Sequence, residues 1–140
     1  MTDPVTVVDV TFPSEFGEGH RIQDEIIAAL ESHGYGDRDV FSVRLALEEA
    51  IVNAIKHGNQ MDPEKRVRIQ YRVNSSLFHI RIEDEGAGFN PCDLPDPTAF
   101  ENIEKLCGRG VMLIRGFMSS VDYHGRGNIV TMTKKRSPIE

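Results

Sequence analysis

The sequence predicts an α+β fold: a two-layer α/β sandwich with helices on one face of a mixed, mostly antiparallel sheet. Three observations carry this expectation. The segments follow in the order strand, two helices, two strands, long loop, helix, two strands. The middle strands, residues 66–73 and 76–84, alternate apolar and polar side chains, as in a sheet with one buried and one solvated face. The 140 residues suit one domain with one full-sized core, so residues 1–140 are expected to form a single unit.

The segment "VTVVDVTF", residues 5–12, is β-branched and reads as the first strand. Its inward face stays open, because Val7 and Val8 are adjacent. Pro13 and Ser14 end it, and Ser14 is a candidate cap for a helix over about 15–32. Ile22, Ile26, Ala29 and Leu30 form one apolar stripe at helical spacing. Gly34 and Gly36 break the chain. Asp37 or Asp39 can then cap a second helix that reaches about His57. Val40, Val43, Leu47, Ile51 and Ala54 are its buried stripe, and Gly58 and Asn59 stop it.

In the strand over 66–73, Val67, Ile69, Tyr71 and Val73 point one way, and Arg66, Arg68, Gln70 and Arg72 the other. Asn74 and Ser75 suit a tight turn. The partner strand turns Phe78, Ile80 and Ile82 inward and His79, Arg81 and Glu83 outward. The outer arginines read as a solvated face with cross-strand ion pairs. From Gly86 to Arg109 the chain is rich in Gly, Pro and Asp, with a short helical turn near 100–106. A loop this long inside a compact domain is usually functional or mobile. "GVMLIRGFMSS" reads as a third main helix, and "VDYHGRGNIVTMTKK" as a final hairpin turning at Gly125 to Asn128.

Apolar content of 39% and charged content of 27% are those of an ordinary soluble protein. A net charge of −6 argues against a general nucleic-acid binder. No apolar run approaches membrane-spanning length. The start, "MTDPVTVVDV", lacks the features of a signal peptide, so a cytoplasmic location is expected. Cys92 and Cys107 form no CxxC motif and have no histidine at ligand spacing. They read as reduced thiols rather than a zinc site or disulfide.

Three places carry chemistry. Glu49 and Asn53 lie four apart on the second helix and so share a face, with Lys56 and His57 near the same line. Asparagine is a poor helix former. The pair reads either as a ligand-binding constellation or as a surface hydrogen-bonded pair. The second place is "EDEGAGFNP". Continuing the strand's alternation puts Asp84 on the inward side, where an unpaired charge is costly and a partner is required. A carboxylate only accepts hydrogen bonds, so a ligand amino group would suit it. Gly86 and Gly88 allow close approach to a flat ligand. The other reading is a turn with a capping aspartate. The third place is "CGRGVML", where a glycine pair opens a helix and leaves N–H groups suited to phosphate, with Arg109 adding charge. A flexible hinge before the helix is the alternative. There is no GxxxxGK[ST], and no GxGxxG follows a strand.

Together and in order, "EEAIVNAIKHGN", "DEGAGF" and "GRGVMLI" resemble the N, G1 and G2 boxes of the GHKL ATPases, which share the Bergerat or histidine-kinase-like fold. The nearer resemblance is to the small anti-sigma factor serine/threonine kinases, and it covers nearly the whole chain from Val5 to Lys135. It implies that Asn53 holds Mg²⁺, a metal that prefers oxygen ligands and keeps several waters. It implies that Glu49 is the general base and that Asp84 accepts from the adenine amino group of ATP or ADP. Gly86 and Gly88 then lie beside the base, and Gly108, Arg109 and Gly110 meet the phosphates. The loop of about 90–107 corresponds to an ATP lid, expected to order on nucleotide binding. Glu48 is a second candidate base, although spacing to Asn53 favours Glu49. The resemblance further implies a STAS-type anti-sigma antagonist protein as substrate and a sigma factor as a second partner. Arg21 is a candidate partner contact, and homodimer formation is left open. The competing functions are a non-catalytic nucleotide-dependent switch and the catalytic part of a histidine kinase. The chain's length disfavours the last.

Overall fold

The structure, a computed structural model, describes residues 3–86, 118–124 and 128–138. β1 (Thr6–Pro13) settles the ambiguity of its adjacent valines. Val8, Val10 and Phe12 stand opposite Tyr71, Ile69 and Val67, the inward row of β2 (Arg66–Val73). Val7 therefore faces out and is 70% exposed. β2 turns through Asn74, whose Oδ1 accepts from the Ser76 and Leu77 N–H groups, into β3 (Leu77–Asp84). β4 (Ser120–His124) and β5 (Ile129–Lys135) complete a five-stranded sheet of order β1-β2-β3-β5-β4.

All four strand pairs among the described strands are antiparallel, in line with the mostly antiparallel sheet expected. Part of the reason lies in the connection between β1 and β2. Two helices run out and back, so the chain that leaves at Pro13 returns opposite it at Arg66.

α1 (Phe16–Ser32) and α2 (Asp37–Val52) form the covering layer. Their caps differ from expectation. α1 opens at Glu15 with no side-chain cap bond, because the Ser14 hydroxyl donates instead to the Lys65 carbonyl at 2.7 Å. α2 opens at Gly36, so neither aspartate caps it. Asp39 sits in the first turn, where a negative charge suits the helix dipole. Only 2% exposed, it accepts from the Ser137 N–H at 2.7 Å and hydroxyl at 2.6 Å, with the Lys134 ammonium at 3.7 Å. Burial pushes its carboxyl up, but the Ser137 hydrogen bonds and Lys134 outweigh this and hold it below the usual value.

The core lies between the layers. Ile26 and Leu30 of α1 and Val43 and Leu47 of α2 meet Ile69, Phe78, Ile80 and Met132 of the sheet, all fully buried. Each such side chain contributes about 1.5–3 kcal/mol by leaving water. On the outer face, Arg68 grips Asp9 across the strands at 2.8 and 3.1 Å, while Arg81 bonds Gln70 and Glu83. The guanidinium of Arg68 holds the exposed Asp9 carboxyl below its ordinary value.

The predicted third helix lies mostly outside the described residues, as do the turn near 100–106 and both cysteines. Its end is corrected. Met118 and Ser119 are not helical, and Ser120 opens β4. The Ser119 N–H already bonds the Thr133 carbonyl at 2.8 Å, so sheet pairing claims it. Among the described residues no helix is long and apolar enough to cross a membrane.

Candidate functional site

The second helix does not run regularly to His57. α2 ends at Val52, and a π-helical turn takes over at Asn53–Gly58. Such turns are rare and are found disproportionately at functional sites. Asn53 is half-buried and lines a narrow cleft with Ala50, Ala54, Ile82, Asp84, Tyr123, Asn128 and Val130. One wall of this cleft is thus the helix end and the other the inner ends of β3, β4 and β5. Among the described residues it holds about 20 Å³.

The alternation of β3 carries Asp84 inward as expected, and it is 7% exposed. Its Oδ1 accepts from the Gly86 N–H at 2.9 Å. The turn with a capping aspartate and the carboxylate turned to the cleft therefore coexist. Outside the side chain, the Asp84 N–H donates to the Asn128 carbonyl at 2.9 Å, and Asn128 Nδ2 returns a bond to the Asp84 carbonyl at 3.1 Å.

Two glycines let the helix end abut this strand end. A Cβ on Gly58 would stand 2.3 Å from Asp84 Cγ, and one on Gly86 would stand 1.9 Å from the Gly58 carbonyl oxygen. Gly86 is thus small enough for the Gly58 backbone to approach, where two chain segments meet.

Glu49 stands one turn before Asn53, half-buried, and is not among the residues lining the cleft. Glu48 engages α1 instead, with its carboxylate 3.3 Å from His20 Nε2. The two glutamates thus have different neighbours. Arg21 is exposed on α1 and pairs with Glu18 at 2.6 Å. Gly88, Gly108, Arg109, Gly110 and the expected lid lie outside the described residues.

Sequence reasoning missed Asn59, Asn128 and Tyr123. Asn59 read only as a helix stop, yet it is fully buried and bonds three separate segments. Its local signal, an asparagine after a glycine, is identical to that of an exposed terminator. Asn128 read as a turn residue, and nothing local marks its bond to Asp84.

The histidine kinase-like ATPase domain family matches residues 12–134 of the chain. An anti-sigma F factor of Oceanobacillus iheyensis is 30% identical over 104 residues, 71% of each chain. A serine-protein kinase RsbW of Listeria monocytogenes is 24% identical over 111 residues, 72% of this chain and 69% of that one. Among solved structures, the RsbU and RsbW domains of a Mycobacterium tuberculosis protein superpose with a TM-score of 0.65 at 13% identity. That likeness covers 95% of this chain and 32% of the longer one, and it concerns the fold alone.

Proposed function

Because the chain belongs to the histidine kinase-like ATPase domain family, we propose that it is an ATP-binding anti-sigma regulatory factor. On this reading it phosphorylates a serine or threonine of a STAS-type anti-sigma antagonist protein and sequesters a sigma factor. The relatives named anti-sigma F factor and serine-protein kinase support the regulatory role. The observation that carries the reading is the single cleft shared by Asn53 and Asp84.

The donor set fits a magnesium nucleotide. Asp84 offers a carboxylate at the inner end of a strand, suited to an exocyclic amino group. Asn53 offers an amide oxygen one helical turn from the carboxylate of Glu49, and neither side chain hydrogen-bonds another described residue. Mg²⁺ needs few protein ligands, because it retains waters and phosphate oxygens. Gly108, Arg109 and Gly110 are assigned to the phosphates and Gly86 and Gly88 to the base by the same family pattern. Bound Mg–ATP supplies the phosphoryl group.

The protein's own work is positioning, which dominates phosphoryl transfer. Asn53 holds the metal side, Asp84 selects the base, and Glu49 orients or deprotonates the attacking hydroxyl. One observation favours a second reading. Glu49 is not among the residues lining the cleft, as a nucleotide-dependent switch without catalysis would allow.

The discriminating experiment is Glu49→Gln, which keeps shape and hydrogen bonding but cannot take a proton. Kinase action requires Mg–ATP and partner binding to persist while transfer falls by about 10²–10⁴-fold. Transfer at the wild-type rate would remove Glu49 as base and leave Glu48 as the next candidate. A wild type that binds Mg–ATP and its antagonist but transfers nothing would replace the kinase with the switch.

A further inference from the structure

The segment from Asn53 to Met61 carries more construction than stopping a helix requires. The π turn closes with the Asn59 N–H on the Ala54 carbonyl at 2.9 Å. Gln60 and Met61 follow at φ of 54° and 58°, the left-handed region that non-glycine residues adopt at a cost. Asn59 itself is 0% exposed. Its Nδ2 donates to Ser14 Oγ at 2.7 Å and to the Arg66 carbonyl at 3.0 Å. Its Oδ1 accepts from the Glu85 N–H at 2.8 Å. The three partners mark three strand ends: Ser14 follows β1, Arg66 opens β2 and Glu85 follows β3. An exposed glycine or asparagine would terminate the helix equally well.

We propose that Asn59 is a positioning residue of the nucleotide site, clamping the helix end that carries Asn53 to the strand end that carries Asp84. The proposal rests on the nucleotide reading given above. Asp84 is held from both sides. Gly58, just before Asn59, abuts its carboxylate without room for a Cβ. Glu85, just after Asp84, is bonded by the Asn59 side chain. A displaced Asn59 therefore moves Asn53 through the π turn and Asp84 through Glu85. A buried polar hub of this kind is rigid when fully bonded, and each unmade bond is expensive. The functional consequence is base selectivity. Adenine presents an amino donor where guanine presents a carbonyl acceptor, and a carboxylate rejects the latter only if it cannot move aside.

The test is calorimetric affinity for Mg–ATP and Mg–GTP in the full chain and three variants. Asn59→Ala is expected to lower the ATP-over-GTP affinity ratio by about tenfold, the scale of one lost buried hydrogen bond. Ser14→Ala removes the outer anchor of Asn59 together with the Ser14–Lys65 bond, leaves the Arg66 and Glu85 bonds of Asn59 in place, and should lower the ratio by about threefold. Val73→Ala is the control: it opens a cavity at a site 1% exposed, six residues along β2 from Val67, the partner of Asp84. That is roughly 20 Å away, so its melting temperature should fall with the ratio unchanged. A folded Asn59→Ala with the wild-type ratio overturns the proposal. So does a ratio that falls equally in Val73→Ala, since the effect would then track stability alone. Should Asn59→Ala not fold, Ser14→Ala decides, and an unchanged ratio there is the overturning result. A wild type that binds neither nucleotide removes the nucleotide reading itself.

Discussion

Asn53 competes for backbone hydrogen bonds in any helix, and here it occupies the first residue of the π turn, facing a cleft. Its neighbour across that cleft, Asp84, makes the sharpest single-residue prediction. Asp84→Asn exchanges part of an acceptor for a donor, so ATP affinity should fall about 10–100-fold while GTP affinity falls much less. Equal ATP affinities in titrations of the two proteins would remove Asp84 from the base. Asp39 makes a prediction about acid. Its carboxyl is lowered from 3.8 in the folded chain, so the unfolded chain takes up this proton first. The stability it contributes is fully present above about pH 3.8 and is lost as pH falls through the lowered folded value. Asp39→Asn should melt lower than wild type at pH 7, by about 1–3 kcal/mol, and the difference should shrink below about pH 4. A difference independent of pH would show that the Ser137 contacts act through shape rather than charge.

The elements show which parts of this fold are legible locally. Strict alternation placed every inward residue of β2 and β3, including the charged one at the end of β3. Period-two patterning works there because the face of a strand is fixed by burial alone. The caps were not legible. Ser14 bonds Lys65, 51 residues on, and Asp39 bonds Ser137, 98 residues on. Local propensity cannot see such partners. The π turn was hidden for a related reason: it delivers Asn59, whose side chain bonds Ser14, Arg66 and Glu85 in other segments of the chain. Glycines reveal the contacts that these elements demand. Gly58→Ala would drive a Cβ to 2.3 Å from Asp84 Cγ, so it should lower both stability and nucleotide affinity. Gly19→Ala places a Cβ 2.8 Å from Ile51 Cγ2, between α1 and α2. Overpacking there should destabilise the fold by about 1–3 kcal/mol in urea melts. A stability unchanged by Gly19→Ala would mean that the helices can separate freely.

At the scale of the whole molecule, the candidate site gathers segments that are far apart in sequence. Asn53 comes from the helical layer, Asp84 from the sheet's middle strand, and Tyr123 and Asn128 from the last hairpin. Asn59 adds the ends of β1 and β2. A ligand held there touches both layers, so it must stabilise the chain against global unfolding rather than a local loop. A nucleotide present at 100 times its dissociation constant adds about 2.7 kcal/mol to the folded state. For a domain of this size that corresponds to a rise in melting temperature of roughly 8 °C. Mg–ADP should therefore raise the melting temperature by about that amount, with the rise growing logarithmically in ligand. Val73→Ala should begin lower and rise equally, because its cavity lies at the far end of the sheet. Asp84→Asn, with its affinity lowered about 10–100-fold, should rise by only about 1–4 °C at the same concentration. A wild-type melting temperature that does not respond to Mg–ADP or Mg–ATP at millimolar concentration would remove nucleotide binding from this protein. A rise preserved in full by Asp84→Asn would place the base elsewhere while keeping the nucleotide.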